Sequence, residues 1–194
     1  MQELQDFTIL DHHLGCFRTF SGKKIKIKNP QVDDIDIRDI AAALSKICRF
    51  GGHSSEFYSV AQHSVLVALM VPKRLRAAAL LHDASEAYLG DVIKPLKVIL
   101  GPIYAELEAN FQRVIMERFL SIPPLADLLA SDKEEIKKCD ILALQIENEA
   151  FKHGNPDRLR FFFEKYDMLQ TDVQLGWPPF LAQTLFTRYA QHIL

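Results

Sequence analysis

The stretch LLHDASEAYLGDVIKPLK, residues 80–97, places several ionisable side chains directly after an apolar run. His82 and Asp83 are adjacent, and Glu86 follows His82 by four positions, which is about one helical turn. A buried polar group without a partner costs roughly 2–7 kcal/mol, so these side chains need compensation in an apolar setting. A bound metal ion is the first candidate for that compensation.

Two further segments each direct one ionisable residue inward. His63 follows Val60 by three positions and precedes Val67 by four, so it shares a helix face with an apolar row. Asp140 stands four positions from an apolar residue on either side. Together with His82 and Asp83, these residues would offer two imidazole nitrogens and two carboxylates. Such a set suits a borderline divalent cation and leaves positions free for water and substrate, which favours catalysis.

Each signal has a simpler interpretation when it is taken alone. A single inward histidine such as His63 is more often a hydrogen-bonded core residue, and a single aspartate such as Asp140 is more often a cap or an ion-pair member. Adjacent His-Asp pairs also occur by chance. These residues become a specific signal for a metal site only when they are taken together and with the segment that follows them.

The segments that must position these residues have helical periodicity. Asp36 is predicted to cap a helix that runs through Cys48, with Arg49 at its end and Gly51-Gly52 stopping it. Ser59 and Gln62 form the pattern of a capping box for the helix of His63. The next helix is predicted to run from about residue 72 to 89, carrying His82 and Asp83, and to stop at Gly90.

The second half of the chain continues in the same way. Gly101-Pro102 precedes a long amphipathic helix, and Ser131 with Glu134 forms a second capping-box pattern ahead of the helix of Asp140. Two more helices are predicted at about 157–169 and 179–193. Before all of these, KKIKIKNP alternates Lys and Ile and stops at Pro30, which indicates a short edge strand or hairpin arm.

These elements predict an all-α, single-domain helical bundle over residues 1–194. Residues 1–31 would form the irregular or hairpin N-terminal arm, 32–150 the core that carries the site, and 151–194 the C-terminal helices.

The order H, then HD, then D on successive helices resembles the HD-domain metal-dependent phosphohydrolases. HDASEAYLGDVIKPLK is similar to their 5'-deoxynucleotidase branch. NPQVDDIDIRDIAAALSKICRFGGHSSEFYSVAQHSV resembles the phage-type members, which include nucleotide triphosphohydrolases, and the phosphohydrolase of oxetanocin biosynthesis is also similar. The resemblance spans roughly residues 20 to 150.

The resemblance implies roles for particular residues. The metal ligands would be His63, His82, Asp83 and Asp140, holding one divalent ion per chain such as Co, Mn or Mg. Glu86 would hold or orient the water that the metal acidifies. Asp91 would protonate the leaving oxygen, and without the HD context it would be interpreted as a turn residue.

The same resemblance implies cationic contacts to phosphate. Arg49 precedes His63 by fourteen positions. This position is close to the one at which the family carries an arginine that contacts phosphate. Lys94, Lys97 and Lys137 would add positive charge, although a lone lysine is often just a solvated side chain. His53 would either contact phosphate or cap a turn.

The implied activity is hydrolysis of small nucleotides or deoxynucleotides, with adenine-type mono-, di- or triphosphates as substrates. Two alternatives stay open, a nucleotide-binding module without catalysis and an HD oxygenase with two irons. The metal count and the presence or absence of turnover would distinguish these three readings.

Composition sets the remaining expectations. The 194 residues carry a formal charge of −2, which offers no overall basic field for a nucleic acid polymer. Three cysteines without CxxC spacing argue against a disulfide framework and agree with a cytoplasmic protein. No signal peptide and no apolar run near the ~18 residues of a membrane helix is evident, so no membrane partner is expected. The resemblance implies a homo-oligomer, a dimer or larger.

Overall fold

The computed structural model describes residues 15–120, 129–166 and 175–194, and within these ranges the fold is all-α with one small hairpin. The hairpin strands are β1 Cys16–Arg18 and β2 Lys24–Lys26. The α-helices are α1 Ile37–Leu44, α2 Val60–Met70, α3 Arg76–Leu80, α4 Glu86–Leu89, α5 Lys94–Leu120, α6 Ala130–Lys152, α7 Asp157–Lys165 and α8 Pro179–Ile193.

The N-terminal hairpin follows from the alternation in KIK. β1 and β2 pair antiparallel with Phe17 opposite Ile25, and Ile25 is buried while the lysines on either side are exposed. The buried carboxylate of Asp39 in α1 accepts hydrogen bonds from both the backbone N–H and the hydroxyl of Ser21. The hairpin is therefore attached to the helical core, and the hairpin alternative of the prediction is confirmed.

Helix α1 begins as predicted but ends early. Asp36 is its N-cap and accepts a hydrogen bond from the Arg38 N–H at 2.9 Å. The helix ends at Leu44, because the following backbone pairs with the segment before α2 through an isolated bridge between Cys48 and Ser59. The prediction that Arg49 ends this helix is wrong. Arg49 opens a separate 3-10 turn, Arg49–Gly52.

Helix α2 lies at the centre of the molecule, packed against α3, α6 and α8. Nearly all of its residues are buried, so the helix is enclosed on every side, and Gln62, His63 and Ser64 are buried along with its apolar residues. Ser59 caps it by accepting from the Gln62 N–H, as predicted. The Gln62 side chain does not complete the capping box. Its amide donates to the Leu175 carbonyl and accepts from the Trp177 N–H, which ties α2 to the C-terminal segment.

The single helix predicted for residues 72–89 is wrong. The chain forms a 3-10 turn, Lys73–Leu75, then α3, then a turn over residues 81–85, then α4. Through this turn the backbone hydrogen bonds span three residues instead of four, as from Ala84 N–H to Leu81 C=O at 3.1 Å. His82 and Asp83 therefore lie in the break between two short helices, and Gly90 stops α4 with φ 82° as expected.

α5 begins at Lys94 and contains two helical stretches that are separated at Gly101, where φ 65° and ψ −149° are non-helical. The second stretch begins after Gly101, as predicted, and the short stretch before it was not predicted. Helix α6 differs from the prediction at its start. α6 begins at Ala130 with Leu129 as N-cap and no side-chain cap, so the predicted Ser131 capping box is wrong. Asp132 instead receives a hydrogen bond from Arg74 at 2.6 Å, which connects the start of α6 to the segment before α3.

The C-terminal helices agree with the prediction. α7 begins at the predicted residue and ends at Lys165 with Tyr166 as its C-cap, earlier than predicted, while residues 167–169 lie outside the described residues. α8 matches the predicted 179–193. Their buried side chains belong to the same hydrophobic cluster as α1 and α2, which agrees with a single domain. Among the described helices, none combines the length and apolar character needed to cross a bilayer.

Candidate functional site

Four side chains that are distant in sequence converge at one point. Nε2 of His63 on α2 lies 3.3 Å from Nε2 of His82, 3.5 Å from Oδ2 of Asp83 and 3.3 Å from Oδ1 of Asp140 on α6. Nε2 of His82 lies 3.2 Å from Asp83 Oδ2 and 3.9 Å from Asp140 Oδ1. The structure thus brings together the four residues singled out as ligands.

The other ring nitrogens fix the direction of both imidazoles. His82 Nδ1 lies 2.7 Å from the carbonyl oxygen of Ala79, which can only accept, so Nδ1 carries a proton in the neutral ring. His63 Nδ1 lies 2.5 Å from Oε1 of Glu147, which accepts, so Nδ1 also carries the proton of the neutral His63 ring. Both Nε2 lone pairs then point at the shared centre. Ligating histidines typically have this arrangement, with the second nitrogen held by a carbonyl or carboxylate.

The spacing of these atoms fits a metal ion. Neighbouring ligand atoms that each lie about 2.0–2.2 Å from one ion are separated from each other by roughly 3–3.5 Å. His63, His82 and Asp83 form a group that could hold a metal ion. Asp140 lies beside this group at comparable distances from both imidazoles.

The electrostatic field at this centre favours positive charge. Burial lowers the pKa of His82, but Asp83 and Asp140 outweigh it and raise the value to about 9. Burial and Arg49 likewise lower the pKa of His63, whereas Glu147 and the two aspartates raise it to about 10. A field that attracts a proton to both imidazoles also attracts a cation.

Glu147 is the main feature that sequence reasoning missed. It is fully buried on α6 and is surrounded by donors: Oε1 accepts from Tyr58 at 3.0 Å and from His63, and Oε2 accepts from Arg49. Burial raises its pKa, but His63 and Arg49 lower it below the usual value. Glu147 follows Asp140 by seven positions, which places both on the same helix face. This spacing is the feature of the sequence that could have identified Glu147 as part of the site.

Arg49 connects this buried carboxylate to the centre. Its side chain is 11% exposed, with one N–H group 3.1 Å from Glu147 Oε2 and another nitrogen 3.7 Å from Asp83 Oδ2. The guanidinium therefore lies between the two carboxylates at the wall of a cavity. The predicted proximity of Arg49 to the site agrees with this geometry, although its helical location was wrong.

A cavity of about 470 Å³ opens beside the centre. Asp83 and Asp140 form part of its wall. The other described residues that line it are Arg49, Phe50, Asp91, Val92, Ile93, Lys94, Lys97, Lys137 and Leu144. Its lining thus combines three carboxylates with four cationic side chains and several apolar ones.

Besides Arg49, two of these cationic residues are also paired with carboxylates. Lys137 Nζ lies 2.6 Å from Asp140 Oδ2, so it neutralises a ligand carboxylate as well as facing the cavity. Lys97 Nζ lies 2.6 Å from Glu108 Oε1 and 3.6 Å from Glu86 Oε1. Lys94 is exposed at the cavity rim.

Glu86 lies on a second cavity that adjoins the first at Asp83. This cavity of about 300 Å³ is also lined by His82 and Glu108. Glu86 is 5% exposed, and its Oε2 has no hydrogen-bond partner among the described residues. Burial, Asp83 and Asp91 raise the pKa of Glu86 to about 8.

His53 is not brought to the centre. It is exposed and does not belong to the described lining of either cavity. Its backbone N–H closes the turn after Arg49 by donating to the Phe50 carbonyl at 3.1 Å. His53 therefore ends the turn through its backbone, and the contact of its side chain with phosphate stays a prediction.

Comparison with known proteins places the chain beside uncharacterized relatives. No family model matches it. It is 36% identical over 154 residues to an uncharacterized protein of Rhodobacter capsulatus, covering 73% of this chain and 77% of that one. It is 44% identical over 134 residues to the uncharacterized protein YfdR of Escherichia coli, covering 69% of this chain and 71% of YfdR. The chain therefore belongs to the YfdR family.

Proposed function

We propose that the chain is a metal-dependent phosphohydrolase of the HD type that hydrolyses small nucleotides or deoxynucleotides, with adenine-type mono-, di- or triphosphates as substrates. The observation that carries this proposal is the convergence of two imidazole lone pairs and two carboxylates at one point, where both carboxylates also line a cavity with four cationic side chains. The sequence resemblance supports the same activity. A cavity of about 470 Å³ also falls within the roughly 300–1,000 Å³ of small-molecule sites.

The donor set of the proposed centre is mixed nitrogen and oxygen, which suits one divalent ion such as Mn, Co or Mg. His63, His82, Asp83 and Asp140 would hold it, with Glu147 and the Ala79 carbonyl orienting the two imidazoles. Such an ion, when bound, polarises a phosphoryl oxygen and lowers the pKa of a bound water towards neutrality.

The remaining residues would bind and orient the phosphate. Arg49 presents N–H groups beside Asp83, and Lys94 and Lys97 add positive charge along the same wall. Lys137 offsets the charge of Asp140. Positioning and charge neutralisation of this kind provide most of the catalysis in phosphoryl transfer.

Two carboxylic acids would move protons in this reaction. Burial and Asp83 raise the pKa of Asp91, against the opposing effect of Arg49, so Asp91 is suited to hold a proton for the departing oxygen. Glu86, whose pKa is raised to about 8 by burial and by the charges of Asp83 and Asp91, would hold a proton near neutral pH in the metal-free protein. A cation held by Asp83 would offset the charge that raises this pKa and would allow Glu86 to accept a proton from water.

The test is a panel of deoxynucleoside mono-, di- and triphosphates, incubated with the protein and Mn, Co or Mg, with products identified by mass. We expect release of phosphate, pyrophosphate or triphosphate. Asp83→Ala should abolish it, and Asp33→Ala, at a residue whose side chain is 97% exposed, should not. No product from any nucleotide contradicts the proposal. Thermal stabilisation by nucleotides without turnover would indicate a binding module, and two irons per chain an oxygenase.

A further inference from the structure

A third cavity, of about 280 Å³, adjoins the candidate metal centre and is lined by residues of α3, α5 and α6. Three of the four candidate ligands form part of its wall: His82, Asp83 and Asp140. The other described residues that line it are Ala78, Gln112, Met116, Lys133, Ile136 and Lys137. We call it the Lys133 cavity. Because it shares Asp83, Asp140 and Lys137 with the larger cavity, a ligand at the centre can extend into both.

Lys133 carries a positive charge without a partner in the described part of the chain. It is exposed near the start of α6 and makes no ion pair or hydrogen bond among the residues that the structure describes. The next two lysines of the helix are both paired. Lys137 Nζ lies 2.6 Å from Asp140 Oδ2, and Lys138 Nζ lies 2.7 Å from Glu134 Oε1. Lys133 is therefore free to pair with an anion that enters the cavity.

The charges of this cavity favour an anion when the centre holds its ion. A divalent ion would offset the carboxylates of Asp83 and Asp140, which leaves the two lysines as the main charges of the wall. Ala78, Met116 and Ile136 are buried apolar residues of the same wall. They exclude water from their part of the cavity, and the attraction between opposite charges is stronger where less water separates them.

The two lysines are spaced for a chain of phosphates. Lys133 and Lys137 are four residues apart on α6, so their side chains share one face of the helix and lie about 6 Å apart along its axis. Lys137 lines both cavities, and Lys133 belongs to the wall of the Lys133 cavity. From a phosphate held at the centre beside Lys137, one or two further phosphate groups lead along this helix face to Lys133.

We propose that the Lys133 cavity binds those phosphate groups of a nucleoside di- or triphosphate that follow the phosphate held at the centre. Lys133 then favours polyphosphates over monophosphates, because a monophosphate has no further phosphate to reach it. The larger cavity, whose wall includes the apolar Val92, Ile93 and Leu144, accommodates the nucleoside. This inference rests on the proposed function, since it requires an ion that offsets the charges of the ligand carboxylates.

The kinetic test compares the KM of the Mn²⁺-loaded protein for deoxyadenosine triphosphate with its KM for deoxyadenosine monophosphate. For a nucleotide that binds without turnover, the inhibition constant replaces KM. Lys133→Met should raise the ratio of the triphosphate value to the monophosphate value about tenfold, through the loss of one charge-assisted contact to phosphate. Lys133→Arg, which keeps the charge, should keep most of the wild-type ratio. The matched control is Lys138→Met, which removes the same charge from the same helix at a side chain 72% exposed and should leave the ratio unchanged.

A binding measurement makes the result independent of turnover. Inorganic triphosphate and orthophosphate, each supplied with excess Mn²⁺, are titrated into the Mn²⁺-loaded protein by isothermal titration calorimetry. The wild type should bind triphosphate about tenfold more tightly than Lys133→Met does, and the two proteins should differ less for orthophosphate. Circular dichroism should show wild-type helicity for all variants, since Lys133 and Lys138 are exposed.

The outcomes separate this inference from the proposed function. Hydrolysis of nucleotides with the same KM ratio in wild type and Lys133→Met overturns the inference and leaves the proposed function intact. An equal change in Lys138→Met also overturns it, because the effect would then depend on net charge alone. Lys133-dependent binding of triphosphate without turnover of any nucleotide supports the inference and contradicts the proposed activity. The absence of both turnover and triphosphate binding contradicts both.

Discussion

Oε1 of Glu147 lies 2.5 Å from Nδ1 of His63, so a fully buried carboxylate fixes the ring whose other nitrogen faces the candidate metal centre. The same carboxylate also accepts hydrogen bonds from Tyr58 and Arg49. Glu147 therefore acts on the centre indirectly, through the orientation and basicity of His63.

Glu147→Gln is expected to weaken metal binding by about 10–100-fold, because the neutral amide cannot accept from all the donors that surround it. The affinity for Mn²⁺, measured by isothermal titration calorimetry, checks this. Glu149→Gln is the matched control, since Glu149 is on the same helix and pairs with Arg158 at the surface. Equal affinities for wild type and Glu147→Gln would contradict the positioning role.

Arg49→Met is expected to destabilise the metal-free protein by about 3–5 kcal/mol, because it leaves Glu147 buried without its guanidinium partner. Denaturant unfolding followed by circular dichroism measures this free energy. Arg38→Met is the control, as Arg38 has a side chain 68% exposed and pairs with Asp36, where a loss below about 1 kcal/mol is expected. A loss that small at Arg49 would mean that its pairing with Glu147 contributes little.

The raised pKa of Glu86 gives the metal-free protein a pH-dependent stability. Because its folded-state pKa is about 8 and lies above the unfolded value, its contribution is complete at low pH and is lost as pH rises through about 8. The glutamine of Glu86→Gln cannot ionise, so this variant should lose less stability as pH rises. The difference from wild type in the free energy of unfolding should reach up to ~4 kcal/mol. Melting temperatures of both proteins with chelator, from pH 5 to 9, provide the measurement. Parallel curves would show that Glu86 titrates normally.

Gly176→Ala is expected to destabilise the protein by at least ~3 kcal/mol, because a Cβ at this position would overlap the backbone carbonyl of Phe57. The backbone at Gly176 cannot move without disturbing the bonds of Gln62 to residues 175 and 177 on either side of it. Gly154→Ala is the control. Its φ is 67° but no heavy atom lies within 4 Å of the new Cβ, so a loss of about 1 kcal/mol is expected. The free energy of unfolding of both variants, measured with denaturant, checks this prediction. Equal losses for Gly176→Ala and Gly154→Ala would refute the steric argument.

Several local features could be predicted from the sequence because neighbouring residues determine them. Asp36 caps α1 and Ser59 caps α2, since a short polar side chain before an apolar periodic run satisfies free backbone N–H groups. The alternation in KIK produced the strand that buries Ile25. The apolar row around His63 predicted its full burial. Each of these depends on contacts within one or two turns of the chain.

The tertiary structure determined what depends on distant segments. The helix of His82 breaks at residues 81–85, and α1 ends at Leu44 because later backbone pairs with Ser59. Glu147 reaches His63 across 84 positions of sequence, and Lys137 binds Asp140 instead of standing free. The residue types for a cation site were already in the sequence. Whether their donor atoms lie within 4 Å of one another depends on how α2, the turn after α3 and α6 pack, and packing is a property of the whole core.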